Sequence, residues 1–187
     1  MSRTPPRAFT SKSGRAITIR CAELADAQTM LDLAADGFAT GGEFFITQAD
    51  EFHNDLAKER DWIQAALDSP ADITLLALDG EQAVGMINFR VGNRRRIAHR
   101  GEFGMNVHSD YRDDGIGAAL LRTLLDWAVA HPTVEKVTLG VYANNPRAIA
   151  LYRKMGFIEE SRRIREFKLA DGTYADDVLM GIWVKNV

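Results

Sequence analysis

The stretch HSDYRDDGIGAALL, residues 108–121, places a glycine turn directly before an apolar helix. The first N–H groups of a helix have no partner inside the helix, and the helix dipole adds partial positive charge there. Gly115 and Gly117 carry no side chains that would hold an anion away from these N–H groups. The pattern therefore favours a phosphate site built from the backbone, provided that the carboxylates of Asp113 and Asp114 point away from it.

Regular hydrophobic spacing extends on both sides of this turn. Ile116, Leu120, Leu124 and Trp127 fall on one face of a helix predicted over 115–131. Further helices are predicted within 23–39, 49–70 and 144–157, and strands within 15–22, 72–92, 101–108, 134–143 and 162–185. The predicted order is β-α-α-β-β-β-α-β-α-β-β, which is a mixed α/β fold.

Composition limits the class of protein. The chain has 187 residues, 46% of them hydrophobic, which suits one domain with a substantial core. We expect a flexible tail over residues 1–15, which are polar and interrupted by prolines, and a single domain over 16–187. The single cysteine, Cys21, indicates a reducing compartment, and the start of the chain shows no signal-peptide pattern, so a cytoplasmic location is expected.

Charge and metal-ligand patterns make three classes of partner unexpected. The net charge of -3 provides no attraction to nucleic acid or to an acidic membrane, and no stretch approaches the ~20 apolar residues of a membrane helix. A basic cluster at Arg94, Arg95, Arg96 and Arg100 is more typical of a solvated turn than of a binding surface. The four histidines show no metal-ligand spacing with Cys, Asp or Glu, so no metal is expected.

Two segments in sequence order resemble the GNAT superfamily of N-acyltransferases. VHSDYRDDGIGAAL matches the R/Q-x-x-G-x-G/A turn that binds the pyrophosphate of acyl-CoA in that superfamily. NNPRAIALYRKMGF, about thirty residues later, resembles its second signature, N-x-x-A-x-x-L-Y-x-x-x-G-F. The element order from residue 16 to residue 184 also fits. The resemblance implies a mixed, mostly antiparallel sheet flanked by helices, with strands that splay at the cofactor site.

The resemblance also implies which residues bind the cosubstrate, acetyl-CoA. The turn that would hold the diphosphate comprises Arg112, Asp113, Asp114, Gly115, Ile116, Gly117 and Ala118. Met105, Asn106 and Val107 match the positions where the backbone of a strand pairs with the pantetheine arm and polarises the thioester carbonyl. Asn145 matches a residue that contacts the cofactor. Arg147 either contacts a phosphate of CoA or is a solvated surface arginine.

Acyl transfer to an amine also requires an acid and a base. Asn145 and Tyr152 are seven residues apart, nearly two helical turns, and therefore share a face. A phenol with a pKa of ~10 stays protonated at neutral pH, and the matching tyrosine in the family is the usual general acid. In several branches a glutamate is the base, but its aligned position here is Gly140. Glu102, acting through water, and Glu43 are the alternatives.

The expected function is the direct transfer of an acetyl group to a small primary amine, such as an amino acid. The acceptor is expected between the loop over 39–48 and the C-terminal hairpin, where Phe44, Phe45 and Trp62 fit either an apolar pocket or the core. Acetylation of a protein N-terminus, as on ribosomal proteins, and a non-catalytic acyl-CoA sensor are the alternatives. The oligomeric state is left open, a homodimer included.

Overall fold

The structure is a computed structural model that describes residues 3–185. The strands are β1 (Arg7–Thr10), β2 (Ala16–Cys21), β3 (Ile73–Asp79), β4 (Gln82–Val91), β5 (Arg100–Val107), β6 (Lys136–Tyr142), β7 (Ile158–Lys168) and β8 (Tyr174–Trp183). The α-helices are α1 (Ala27–Gly41), α2 (Leu56–Asp68), α3 (Ile116–Ala130) and α4 (Pro146–Lys154). Short 3-10 turns lie at Leu24–Asp26, Gly42–Phe44 and Ser109–Tyr111.

Within residues 3–185, eight strands form one sheet in the order β1-β2-β3-β4-β5-β6-β8-β7. Neighbouring strands are antiparallel except β5 and β6, which are parallel. The β3–β4 hairpin turns at DGEQ, residues 79–82, where Asp79 pairs with Gln82. This mixed, mostly antiparallel sheet confirms the predicted fold class.

Helices cover both faces of the sheet. The apolar stripe predicted for α3 is buried, with Leu120, Leu124 and Ala128 fully inaccessible, and it packs on the same core cluster as Val137 and Leu139 of β6. A second cluster joins α1 and α2 to the opposite face of β3. The strand β3 is consequently buried on both faces, which explains its unbroken apolar run ITLLALD.

The parallel pair β5–β6 opens into a gap at the centre of the sheet. Their paired residues end at Glu102 and Thr138, where Thr138 Oγ1 also donates to the carbonyl of Gly101. Beyond this point β5 continues to Val107 while paired only with β4, and no register shift interrupts that pairing from Gly85 to Val91. The backbone edge of residues 103–107 that faces β6 is therefore not covered by β6.

The structure differs from the expected tail at residues 7–15. Strand β1 pairs with β2, and the turn after β1 packs against the glycine turn before α3. Ser13 donates from its backbone N–H and from its hydroxyl to the two carboxylate oxygens of Asp114, each over 2.6 Å. Proline and polar composition failed to show this contact because its partner lies 101 residues away. Residues 1–2 of the expected tail and 186–187 of the expected domain lie outside the described residues.

No helix in the described part of the chain is long and apolar enough to span a membrane.

Candidate active site

One large cavity lies where β5 and β6 separate, and its volume is about 1210 Å³. The turn before α3, the free edge of β5, the helix α4, the loop after α1 and the C-terminal hairpin all contribute to its wall. Every predicted site residue lines it except Asp114: Glu102, Met105, Asn106, Val107, Arg112, Asp113, Gly115, Ile116, Gly117, Ala118, Asn145, Arg147 and Tyr152.

The start of α3 presents backbone N–H groups to this cavity. The first intrahelical bond runs from the N–H of Ala119 to the carbonyl of Gly115, and within residues 3–185 no side chain caps this end. The N–H groups of Ile116, Gly117 and Ala118 therefore precede the helical hydrogen-bond ladder. Such an end attracts anions through these groups and through the helix dipole.

The two glycines of the turn have different structural reasons. Gly115 has φ +90°, a backbone conformation that strongly favours glycine, and a Cβ there would point at Phe9 rather than into the cavity. Gly117 is helical, and a Cβ there would make ordinary contacts with Met105 and Leu151, which line the cavity. Gly115 allows the backbone bend of the turn, and Gly117 leaves the cavity without a side chain at that point of its wall.

The carboxylates of the two aspartates in the turn are held by other side chains. The Asp113 side chain is 83% exposed and accepts from Arg147 Nε over 3.0 Å. Asp114 turns towards Ser13, and the hydrogen bonds from the Ser13 side chain are the main cause that lowers its carboxyl pKa. Lys12 donates to the backbone carbonyl of Asp113 and also lines the cavity, a cation that sequence analysis missed.

Arg112 connects the turn to the end of α1. Its guanidinium donates to the carbonyl of Val107, to the carbonyl of Thr40 and, over 2.8 Å, to the hydroxyl of Thr40. These bonds hold the side chain beside the cavity, where it adds positive charge, and fix the spacing between α1 and β5.

Among the residues predicted to pair with a pantetheine arm, two side chains are occupied by protein contacts. Asn106 Nδ2 donates to the carbonyl of Leu33 over 3.0 Å, and Met105 packs against the core cluster. Their backbone groups lie on the uncovered part of β5. The side chains therefore position the strand, while its edge stays available for an extended ligand.

Helix α4 begins at a side-chain cap. Asn145 Oδ1 accepts from the N–H of Ala148 over 3.1 Å, and Pro146 occupies the first helical position. This cap orients the helix that carries Tyr152. Arg147 is paired with Asp113 across the cavity mouth, so its side chain already serves to join α4 to the turn.

Tyr152 projects from α4 into the cavity between two aromatic rings. Its ring packs edge-on against Phe103, with centroids 5.6 Å apart, and in a tilted arrangement against Phe157, with centroids 6.1 Å apart. Within residues 3–185 its hydroxyl has no hydrogen-bond partner. Burial raises the pKa of the phenol to about 12, because the phenolate would be desolvated. The group is a proton donor at neutral pH.

The opposite end of the cavity lies between the loop over 39–48 and the C-terminal hairpin. Tyr142, at the end of β6, joins the two: its hydroxyl donates to the carbonyl of Phe45, and its ring stacks on Phe167 with centroids 3.9 Å apart. Phe44 packs edge-on against Tyr142. Trp62 does not line the cavity; it lies beneath Arg90 and packs on the α1–α2 cluster, so the core alternative is the correct one for it.

Four carboxylates other than that of Asp113 line the cavity: Glu43, Glu102, Glu166 and Asp177. Glu102 and Glu43, the two predicted candidates for the base, are both exposed to solvent. Asp177 of β8 is 4% exposed and, like the exposed Glu166 of β7, was missed by the sequence analysis. Asp177 directly precedes the apolar run VLMGIW, residues 178–183, and a charged residue at the end of such a run is more typical of a solvent-exposed position.

Within residues 3–185, no three His, Cys, Asp or Glu side chains come together as a metal site. The expectation that no metal is required stays a prediction.

Comparison with known proteins agrees with this geometry. The sequence model of the Acetyltransferase (GNAT) family matches residues 39–157. L-amino acid N-acetyltransferase AaaT of Escherichia coli (strain K12) is 29% identical over 119 residues, which cover 64% of this chain and 73% of that protein. [Ribosomal protein bS18]-alanine N-acetyltransferase of the same organism is 36% identical over 80 residues, 43% of this chain and 53% of that protein.

A solved structure shows the same fold over nearly the whole chain. The crystal structure of a GNAT-family acetyltransferase from Streptococcus pneumoniae superposes with a TM-score of 0.82 at 27% identity, covering 89% of this chain and 99% of that one. The family match spans both signatures and the strands between which the cavity opens. The chain therefore belongs to the GNAT family of acetyltransferases, and it is an acyltransferase enzyme rather than a non-catalytic sensor.

Proposed function

We propose that this enzyme transfers the acetyl group of acetyl-CoA to the primary amine of a small molecule, such as an amino acid, in a ternary complex. The observation that carries the proposal is the single cavity that contains both the unpaired N–H groups of α3 and the free hydroxyl of Tyr152. Acetyl-CoA is long and flexible enough to place its diphosphate at the N–H groups of α3 and its thioester beside the hydroxyl of Tyr152.

The donor side would bind through the backbone. The N–H groups of Ile116, Gly117 and Ala118 suit the diphosphate, and the uncovered edge of β5 at 103–107 suits the amide groups of the pantetheine arm. Arg112 and Lys12 add positive charge at the same end. A backbone N–H of β5 beside the thioester would stabilise the developing oxyanion.

Tyr152 would protonate the departing sulfur. A thiol in water has a pKa of ~8.5, so a phenol with a pKa of about 12 is a weak donor to it in bulk solvent. The burial that raises the pKa of the phenol also disfavours a free thiolate beside it, so the site favours release of the neutral thiol. Direct transfer agrees with the position of Cys21, which lies on β2 and does not line the cavity.

The names of the relatives point to three acceptor classes: amino acids, spermidine and an alanine of a ribosomal protein. We favour the small amine because Tyr142 ties the loop after α1 to the C-terminal hairpin, so that aromatic rings narrow this end of the cavity. An α-amino group with a pKa of ~8 also needs less help to lose its proton than a lysine side chain with a pKa of ~10.4.

The test is thiol release from acetyl-CoA with a panel of amino acids, polyamines, aminoglycosides and short peptides. Turnover is expected with a member of the small-amine group. Tyr152→Phe should lower kcat by about 10² or more, because it removes the acid, while the Kd for CoA stays within about twofold. Tyr174→Phe, an exposed phenol on β8 outside the cavity, is the matched control.

Turnover restricted to peptides would show a protein N-terminus as the acceptor and refute the small-amine proposal. A Tyr152→Phe variant with parental kcat would refute the assigned acid.

A further inference from the structure

Gly140 leaves a space on the acceptor side of β6 that a carboxylate from the next strand fills. A Cβ on Gly140 would lie 2.9 Å from Oδ1 and 3.3 Å from Oδ2 of Asp177. On the β6–β8 ladder Gly140 pairs with Leu179 and Tyr142 pairs with Asp177, so these four positions share one face of the sheet. A side chain at residue 140 and the carboxylate of Asp177 would therefore compete for the same volume.

The carboxylate of Asp177 is incompletely satisfied. Its Oδ2 accepts from Arg163 Nη1 over 3.3 Å, whereas Oδ1, although buried, has no hydrogen-bond partner among residues 3–185. A buried anionic oxygen without a partner is costly, and such a group in a native fold requires an explanation. A role in the reaction, in which Oδ1 receives a proton, supplies one.

The groups that surround Asp177 lie on the two neighbouring strands, β6 and β7. Burial is the main cause that raises the pKa of Asp177, and Glu166 of β7 acts in the same direction. Arg163 of β7 and the backbone N–H of Val141 oppose the rise. From β6 the phenol of Tyr142 faces the group, and its own pKa is raised by burial and by Asp177. The result is a carboxylate that is more basic than one in water.

We propose that Asp177 is the general base of this enzyme, with Oδ1 accepting the proton of the acceptor ammonium through one water molecule. The assignment rests on the proposed function, since it concerns the same acetyl transfer. Asp177 lines the cavity that Tyr152 also lines, on its acceptor side beside Tyr142 and Phe167. Because Oδ1 is buried just beneath the cavity wall, a water molecule would carry the proton from the ammonium to it.

The proton balance is complete without a further reagent. Asp177 removes one proton from the ammonium, and the free nitrogen then bonds to the thioester carbonyl carbon. The C–S bond breaks, the sulfur takes the proton of Tyr152, and the nitrogen loses its second proton as the amide forms. One proton returns to Tyr152 and one leaves to solvent, so the products are an amide, a thiol and H⁺.

With Asp177 as the base, a glutamate is needed neither at position 140 nor at position 102. Glu102 is exposed on β5 next to solvent, so its carboxylate is hydrated. Asp177 is shielded on the neighbouring side of β6, where Gly140 makes room for it. Strand β8 thus supplies the carboxylate that the matching position of β6 lacks.

The experiment compares Asp177→Asn with the parent by the pH dependence of kcat/KM for an accepted amine, between pH 6 and 10. Loss of the base should lower kcat/KM at pH 7 by about 10² or more, mainly in kcat. The loss should shrink as pH rises past the pKa of the amine, because the free amine then needs no base. Binding of CoA and the melting temperature should not fall.

Two controls separate Asp177 from its neighbours. Asp176→Asn alters the adjacent carboxylate, which accepts from the backbone N–H of Arg165 and does not line the cavity, and should keep the parental profile. Glu102→Gln should lose less than about tenfold and keep the parental low-pH limb. In a third variant, Asp177→Ala combined with Gly140→Glu restores a carboxylate from β6, and kcat/KM should exceed that of Asp177→Ala by about tenfold.

An active parent with an equally active Asp177→Asn variant, or an effect confined to KM, would overturn this assignment alone. The assignment would also be overturned if Glu102→Gln, rather than Asp177→Asn, showed the pH-dependent loss of kcat/KM. A folded Asp177→Ala, Gly140→Glu variant whose kcat/KM does not exceed that of Asp177→Ala would do the same. A parent without turnover on any amine would refute the proposed function and this assignment with it.

Discussion

Replacing each glycine of the turn by alanine should give opposite changes in stability, although the two residues are only two positions apart. Gly115 stands at φ +90° and ψ -4° before α3, and a Cβ there would lie 3.2 Å from the ring of Phe9. Gly117 is in the first turn of α3, and a Cβ there would meet its nearest neighbours, on Met105 and Leu151, at 3.4–3.7 Å.

The expected magnitudes follow from these backbone conformations. An L-residue in the left-handed region costs about 1–2 kcal/mol, which for a chain of this size lowers Tm by about 2–8 °C in Gly115→Ala. Alanine is a better helix former than glycine by up to about 1 kcal/mol, so Gly117→Ala should raise Tm by up to about 4 °C. Gly115→Ala should also alter the backbone of the turn and so displace the N–H groups that would hold the diphosphate, whereas Gly117→Ala should not.

Thermal unfolding of the ligand-free variants, followed by circular dichroism, measures the change in stability. Titration calorimetry with CoA measures the change in affinity for the cosubstrate. The Kd should rise more than fivefold in Gly115→Ala, a change of about 1 kcal/mol, and less than fivefold in Gly117→Ala. Tm shifts of the same sign in both variants, or an unchanged Tm in Gly115→Ala, would show that φ at Gly115 is not what the turn requires.

Three further predictions follow from contacts around the cavity. Asn145→Ala should lower the free energy of unfolding by about 1 kcal/mol, because the cap of α4 is lost. Asn145→Asp should keep the cap and the Tm, but it should weaken CoA binding if Nδ2 contacts the cosubstrate. Thermal melting and titration calorimetry separate the two roles. Ser13→Ala should lower Tm by about 2–4 °C and raise the Kd for CoA, since Ser13 anchors Asp114 of the turn, and an unchanged Kd would show that β1 does not support the site. Burial raises the pKa of Asp177, so the fold loses stability as pH rises from the unfolded value of 3.8 through the folded one. The Tm advantage of Asp177→Asn should therefore appear as pH rises above 3.8, and a parent that gains on the variant over that rise would contradict the sign.

The sequence predicted the turn and the helix that line one end of the cavity, because these features are local. Each feature is a residue pattern within one turn or one helix: the glycines before α3, the cap at Asn145 and the spacing from Asn145 to Tyr152. Hydrophobic periodicity likewise predicted every helix and strand between residues 15 and 185, because burial of one face repeats along the chain.

The acceptor side could not be predicted in the same way, since its contacts join distant segments. Asp177 reaches the space at Gly140 only because β8 pairs antiparallel with β6 in one register, and a shift of one residue would turn its side chain to the other face. Asp114 finds Ser13 only once β1 has joined the sheet beside β2. Local composition assigns both carboxylates to solvent.

What the sequence alone determined is therefore the order of elements, the glycine turn and the helix that carries Tyr152, because dihedral preference and periodicity act over a few residues. The tertiary structure alone decided where β5 and β6 separate and which buried carboxylate lines the opening. Strand register and the packing of helices on both faces set these positions, and they depend on the whole sheet rather than on any one segment.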